Sequence, residues 1–248
     1  MQLFSFLAID FSKIDPYPAE LFSSLCVILL LIIICIVVKI KSKKVDPLKK
    51  PKGIMLLAEM FVTFIDGMVA KNMGKQFVKH FAPVIGLLSA YLFLSFIWGL
   101  TGFASPVNLY VVPLIMGIIT FLGIHIVSAI YTKSKYFKRY TSPMAFFLPI
   151  NLISMWAPIL SLSFRIFGNA LAGWIIMKII YGVFSLMQVG AINLGFLALV
   201  ITPVFHAYFD LFSGFIQTVV YIMLTMLLIN SEVPDEYQQL ETDHSVDN

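Results

Sequence analysis

Residues 81–132 read FAPVIGLLSAYLFLSFIWGLTGFASPVNLYVVPLIMGIITFLGIHIVSAIYT, a run of 52 residues without Asp, Glu, Lys or Arg. A helix that crosses a bilayer needs about 20 predominantly apolar residues. Residues 99–106, GLTGFASP, are rich in turn-forming residues and divide the run into two halves of that length. We therefore predict a transmembrane hairpin over residues 81–131.

Two further uncharged stretches extend this pattern along the chain. Residues 21–38 are long enough for one span, which we place over 21–40, and residues 140–231 contain only Arg165, Lys178 and Asp210 as charged side chains. The latter stretch suits two unusually long or tilted helices over 144–230, with a break near 188–195. The sequence thus predicts an all-α, polytopic membrane protein with about five transmembrane helices.

Residues 54–80 predict a helix of a different kind. Apolar side chains recur there at helical spacing, whereas five charged side chains interrupt the segment too often for a membrane span. We predict an amphipathic helix lying on the membrane surface within a cytoplasmic segment over 41–80. The alternative is a linker helix that faces the solvent.

Composition and charge exclude several classes of protein. Hydrophobic residues make up 60% of the chain and charged residues 12%, which excludes an ordinary soluble enzyme, a disordered chain and a fibrous repeat. The net charge of +4 is better explained by basic loops on one membrane face than by nucleic-acid binding. Of the 17 Lys and Arg residues, 14 lie within residues 39–52, 71–79 and 133–139.

The positive-inside rule gives the predicted orientation. It places a tail over residues 1–20 outside the cell, and it places the basic loop over 132–143 and the acidic tail over 231–248 in the cytoplasm. No signal peptide is expected, because the first 20 residues lack a positive n-region and a cleavage site.

The sequence predicts no catalysis by this chain on its own. It contains no H-E-x-x-H motif, no P-loop and no complete G-x-S-G motif, so an intramembrane hydrolase is disfavoured. Cys26 and Cys35 have neither zinc-ligand spacing nor the geometry for a disulfide within one helix, and we interpret both as apolar fillers. We expect no cofactor and no metal ion.

Arg165 has 25 uncharged residues before it and 12 after it. An arginine at the centre of a membrane helix costs at least about 2.5 kcal/mol on insertion scales, and its guanidinium stays protonated. Asn169 lies one turn along the same face, and Gly168 and Ala172 have the small-xxx-small spacing that lets another helix come close. We predict a contact surface for a partner; the alternative is a structural ion pair with Asp210.

Asp210 is a titratable carboxyl group in the next predicted helix. Desolvation favours its neutral form and a nearby cation favours its ionised form, so it suits proton relay. Gln217 lies two turns along the same face, and His206 lies one turn before it. Lys178 could supply the cation or reach the outer interface, and His206 could extend a polar path or serve in packing. For His125 we favour packing.

Residues 161–173 read SLSFRIFGNALAG. This segment resembles the signature of subunit a of the F-type ATP synthase, the membrane stator of a rotary motor, whose pattern is roughly S-L-x-[LF]-R-[LI]-[FY]-G-N-x-x-A-G. MGK at 73–75, SPVNL at 105–109 and MLTM at 223–226 are similar to further family segments. The resemblance covers about residues 20–230.

The resemblance implies roles for particular residues. Arg165 would face the rotor ring, with Asn169 on the same surface and Gln217 close to the arginine. Protons would pass through two offset half-channels, one of them past Asp210, and Arg165 would separate the two. The implied partners are a ring of small hairpin c subunits, peripheral-stalk b subunits, the rest of the F1F0 complex and membrane lipid, without nucleic acid. The implied location is a bacterial plasma membrane rather than a mitochondrial inner membrane.

Three positions depart from the family pattern. Trp174 stands where many bacterial relatives have Glu, and Asp210 stands where those relatives often have His or a small polar residue. Ser154 and Met155 replace glutamates near the cytoplasmic exit, so we expect water to serve there. The runner-up function is a secondary transporter in which Arg165 binds an anionic substrate, although the chain shows no internal repeat.

Overall fold

The computed structural model describes residues 19–43, 52–132, 148–186, 188–189, 192–193 and 196–233. Four predicted segments lie wholly or mostly outside the described residues. They are the external tail, most of the lysine-rich segment before residue 52, the basic loop over 132–143 beyond Thr132, and nearly all of the acidic tail.

Helices make up most of the described chain, and its only strands form one minimal hairpin. The helices are α1 (Ala19–Ser42), α2 (Ile54–Met73), α3 (Lys75–Ile97), α4 (Val111–Thr132), α5 (Leu148–Leu186), α6 (Phe196–His206) and α7 (Gly214–Asn230). Short 3-10 turns (Trp98–Thr101 and Pro106–Asn108) join α3 to α4, and a π-helical segment (Ala207–Ser213) joins α6 to α7. Strands β1 (Gln188–Val189) and β2 (Ile192–Asn193) pair antiparallel between α5 and α6, which coincides with the predicted break.

The prediction of an all-helical protein with five membrane spans is confirmed. Five helical stretches within the described residues are long and apolar enough to cross a bilayer. They are α1, α3 with the turn after it, α4, most of α5, and the run from α6 through α7. The helix α2 is not among them.

The fourth span is longer than a membrane is thick. The helix α5 has 39 residues, which corresponds to about 58 Å at 1.5 Å per residue. The hydrocarbon core of a bilayer is only about 30 Å thick. This helix therefore has to tilt, to extend beyond the core, or both, as the sequence predicts.

Gly74 divides the predicted amphipathic stretch into two helices. Its φ of 103° lies in the region that favours glycine, and the chain turns there from α2 into α3. Ile65, Val69 and Met73 recur every fourth residue and form the buried side of α2. This side packs along α3 and also contacts α7.

The helices α3, α4, α5 and α7 enclose the core of the bundle. Its largest fully buried side chain is Tyr221, whose hydroxyl group lies 2.9 Å from Thr120 Oγ1 and donates to the backbone oxygen of Met116 at 2.9 Å. Thr120 Oγ1 also lies 3.1 Å from Thr225 Oγ1. A buried polar group needs a hydrogen-bond partner, and these hydroxyl groups find their partners on the neighbouring helix. The network therefore joins α4 to α7.

Two glycines allow helices to come unusually close. A Cβ atom at Gly117 of α4 would lie 2.5 Å from Ser163 Oγ of α5, and that hydroxyl lies 3.1 Å from the backbone oxygen of Pro113. A Cβ atom at Gly214 would lie 2.6 Å from Cβ of Phe96 in α3. These contacts position α5 and α7, the two helices that carry the predicted site.

We call the end of the bundle at residues 98–110 the turn end. The opposite end, where α4 and α7 finish, is called the basic end because the lysine-rich segments of the sequence adjoin it.

Candidate functional site

The helix α5 places the predicted arginine on the outer surface of the bundle. Leu162, Ser163 and Ile166 are buried, whereas Arg165 and the small residues Gly168 and Ala172 are exposed. A Cβ atom at Gly168 would meet nothing within 4 Å. One side of α5 therefore packs on the bundle, and the other side forms an outer strip. This strip carries the fixed positive charge of Arg165 and has small side chains beside it.

The structure does not pair Arg165 with Asp210. Within the described ranges Arg165 forms no ion pair, and the carboxylate oxygen Oδ2 of Asp210 lies 2.6 Å from Nδ1 of His206 instead. The alternative of a structural ion pair between the two intramembrane charges is therefore not realised in the described part of the chain.

Asp210 lies within the π-helical segment. Such segments are rare and occur frequently at functional sites, because the extra residue per turn re-aims the side chains. His206 contacts both Asp210 and Tyr181, whose hydroxyl oxygen lies 3.2 Å from His206 Nε2. A Cβ atom at Gly99 would lie 3.4 Å from the Asp210 carboxyl group, so the turn after α3 closes over it.

Asn169, predicted on the Arg165 surface, and Gln217, predicted close to that arginine, form a second polar group between α5 and α7. Ser213 Oγ donates to Asn169 Oδ1 at 2.8 Å, and Asn169 Nδ2 donates to Gln217 Oε1 at 3.5 Å. Gln217 is buried, and its Nε2 has no acceptor among the described residues. Such a buried donor is a place for a water molecule or a partner's acceptor.

The Asp210 group opens into a cavity of about 410 Å³ at the turn end, which we call the turn-end cavity. Its wall includes Asp210, His206, Tyr181 and Asn169 on one side and the Gly99 and Asn108 turns on the other. Asp210, the predicted inlet carboxylate, and Asn169 thus line the same cavity. At about 30 Å³ per molecule the cavity has room for several waters.

A second cavity of about 230 Å³ lies at the basic end, between α4, α5 and the end of α7. It is called the basic-end cavity. Its lining consists of Phe121, Ile124, His125, Ser154, Met155, Pro158, Leu228, Ser231 and Glu232. The two positions that depart from the family pattern near the predicted exit, Ser154 and Met155, therefore line this cavity.

A packed and mainly apolar layer, which also contains the buried hydroxyl of Ser163, lies between the levels of the two cavities. On α5 the basic-end cavity reaches Pro158 and the turn-end cavity begins at Asn169, a separation of about 16 Å along the helix. Between these positions Ile159, Leu162 and Ile166 are at most 3% exposed. Arg165 lies at this same level, on the outer surface.

The structure places the remaining predicted residues as follows. Lys178 is exposed, and its Nζ lies 3.7 Å from the centroid of the Trp174 ring, which is a cation–π contact. His125 packs edge-on against Phe121 with the ring centroids 3.9 Å apart, yet it also lines the basic-end cavity. Cys26 and Cys35 are both free thiols.

Three residues that contact Asp210, His206 or Asn169 were not predicted as site residues. They are Ser213, Tyr181 and Gly99. Ser213 lies three residues after Asp210 and four before Gln217, which places it on the same helical face. The sequence could therefore have predicted it as a member of the site. Tyr181 and Gly99 contact the group through the tertiary fold, and no local pattern marks them. Among the described residues no three His, Cys, Asp or Glu side chains gather into a metal-binding group.

Comparison with known proteins gives a consistent result. Residues 21–230 match the family described as ATP synthase A chain. The chain is similar to ATP synthase subunit a of Mycoplasma genitalium, with 33% identity over 216 residues that cover 80% of this chain and 74% of that protein.

Two further relatives come from other bacteria. ATP synthase subunit a of Listeria monocytogenes is 29% identical over an aligned length of 250 positions, gaps included, and the alignment covers 94% of this chain and 97% of that protein. The sodium-ion-specific ATP synthase subunit a of Propionigenium modestum is 28% identical over 194 residues, or 71% of this chain and 62% of that protein. The predicted family is confirmed: the chain belongs to the ATP synthase A chain family, and it is accordingly a multi-pass plasma-membrane component of the ion-conducting F0 sector of an ATP synthase.

Proposed function

We propose that the turn-end and basic-end cavities are two half-channels for protons, and that Arg165 separates them at the surface of a rotor ring. The observation that carries this proposal is the arrangement along α5. Two cavities lie toward opposite ends of the bundle, packed apolar side chains lie between them, and a fixed cation stands at the intermediate level on the outer face.

Proton uptake begins in the turn-end cavity. A proton from the outer solution reaches the hydrogen-bonded pair of His206 and Asp210 and is passed on toward Asn169, Ser213 and Gln217. It then neutralises a carboxylate on a neighbouring c subunit. A neutral carboxyl group passes into lipid far more easily than a charged one, so loading of the proton permits rotation.

Proton release follows after the loaded subunit has travelled around the ring. The carboxyl group then arrives beside the inner end of the basic-end cavity and loses its proton to it. The Arg165 guanidinium favours the ionised carboxylate through its charge and repels a proton that would cross directly between the cavities. Each proton is driven by about 2.3 kcal/mol per 100 mV of membrane potential.

The exposed strip around Arg165 is the surface we assign to the ring. Gly168 and Ala172 leave space there for the helices of c subunits, and the membrane-embedded part of the peripheral-stalk b subunits binds elsewhere on the bundle. The alternative of a secondary transporter with an anionic substrate at Arg165 has no support from the family match.

Replacement of Asp210 by Asn tests the inlet. The amide keeps the size of the side chain but cannot take up and release a proton, so ATP-driven proton pumping by the intact complex should fall at least about tenfold. We expect Asp210→Glu to retain a substantial part of the pumping rate. The assay uses inverted membrane vesicles in sodium-free buffer, with the pumping rate expressed per amount of intact complex. A pumping rate in Asp210→Asn equal to that of the parent complex would refute the inlet assignment.

A further inference from the structure

We propose that Glu232, together with His125, relays protons through the basic-end cavity and out of the membrane. This inference rests on the proposed function, because it names the side chains that carry protons in one of its two half-channels. The relay changes neither group permanently. Each accepts one proton and passes it on, and each returns to its starting state.

The first argument is the chemistry of the cavity wall. Of its nine described lining residues, Glu232 alone carries a carboxylate, and His125 carries an imidazole, a group that can both accept and donate a proton. The positions on α5 are Ser154 and Met155, neither of which can take up a proton near neutral pH. Any proton relay by side chains in this cavity therefore depends on α4 and on the end of α7.

The second argument is the depth of the two groups. His125 lies seven residues before the end of α4, about 10 Å inside the basic end. Glu232 lies two residues beyond the last residue of α7, at the mouth of the same cavity. Proceeding outward from the level of Arg165, a proton meets the imidazole first and the carboxylate second. The hydroxyl groups of Ser154 and Ser231 lie along the same wall and can bond intervening water.

The third argument is that helix stability does not explain Glu232. A carboxylate just beyond the C-terminus of a helix faces the negative end of the helix dipole, which is unfavourable for the helix. The backbone N–H of Glu232 donates to the carbonyl oxygen of Ile229 at 3.2 Å, and any residue except proline provides that bond. The side chain of Glu232 is half-buried at the cavity.

The experiment measures ATP-driven proton pumping by the intact complex carrying Glu232→Gln. We expect the pumping rate per amount of complex to fall at least about fivefold. The matched control is Glu59→Gln, which removes a carboxylate from the exposed side of α2, and it should pump at the parent rate. Content of all subunits in the purified complex is checked for each variant.

Two rescue variants separate a relay from a structural role. Glu232→Asp should restore most of the pumping rate. In the Glu232→Gln background, Met155→Glu places a carboxylate on the opposite wall of the same cavity and should restore pumping to at least half of the parent rate. Recovery in both variants supports the relay, whereas failure of both to recover overturns it, because a structural contact of Glu232 would then account for the loss.

The inference and the proposed function fail in different ways. If Glu232→Gln pumps like the parent complex while Asp210→Asn does not, the relay is wrong and the two half-channels stand. If neither variant alters pumping, the proposed function fails as well. A loss in Glu59→Gln equal to that in Glu232→Gln also overturns the relay, since the effect would not depend on the cavity.

Discussion

Gly214 gives a prediction whose size follows directly from the structure. A Cβ atom there would lie 2.6 Å from Cβ and 2.7 Å from Cγ of Phe96, whereas carbon atoms in contact are about 3.5–4.0 Å apart. Gly214→Ala therefore forces α3 and α7 apart by about 1 Å. Overpacking of this kind costs about 1–3 kcal/mol. At about 2–4 °C per kcal/mol for a chain of this size, the melting temperature should fall by about 2–12 °C.

The matched control is Gly67→Ala in α2. Both glycines are helical, and Gly214 has a φ of −59°, so alanine is conformationally acceptable there and gains the same helix propensity of about 0.5–1 kcal/mol. A Cβ atom at Gly67 would meet nothing within 4 Å. The difference between the two variants, measured by thermal unfolding in one detergent, isolates the contact with Phe96. If Gly214→Ala is as stable as Gly67→Ala, the close approach of α3 and α7 is wrong.

Two further variants test the packing and the charges around the site. Ser163→Ala removes a buried hydroxyl that lies 2.8 Å from the Ile159 carbonyl oxygen of its own helix and 3.1 Å from the Pro113 carbonyl oxygen of α4, and it should lower the free energy of unfolding by about 1 kcal/mol. Ser161→Ala, on the exposed side of α5, should lower it by less than about 0.5 kcal/mol. Equal effects in chemical denaturation would contradict a stabilising role of the buried hydroxyl. Lys178→Gln should retain more than half of the proton pumping rate, because the ammonium group contacts Trp174 rather than Asp210. A tenfold loss would instead indicate that Lys178 supplies the cation for the inlet.

The spans were predictable because the bilayer imposes a length and a composition on any helix that crosses it. Residues 81–132 and the turn at 99–106 thus predict α3 and α4, and the polar and glycine cluster near 188–195 predicts the break before α6. Helical spacing alone does not predict the bend at Gly74, because the amphipathic pattern continues through residue 80. The family resemblance ends the amphipathic helix at residues 73–75, and Met73 is its last residue in the structure. The π-helical segment has no local signature, since it depends on how α6 and α7 pack.

For the site, short spacings along the sequence predicted which residues lie close together. Contacts between residues far apart in the sequence could not be predicted. The separation of four residues between His206 and Asp210 placed them one turn apart, and the structure gives them a hydrogen bond. The contact of Asp210 with Gly99, more than 100 residues away in sequence, depends on tertiary packing. For the same reason the sequence did not predict that Glu232 and His125 lie together. His125 is in α4 and Glu232 follows the end of α7, and only the packing of α4 against α5 and α7 brings them to one cavity.

The central claim is that a fixed positive charge at residue 165 couples proton movement to rotation. The most direct measurement is ATP-driven proton pumping by the intact complex carrying Arg165→Ala, with hydrolysis rate and subunit content recorded on the same vesicles. The account predicts a complex that assembles with this subunit in place and produces no measurable proton gradient. A gradient of the same size as that formed by the parent complex would contradict it.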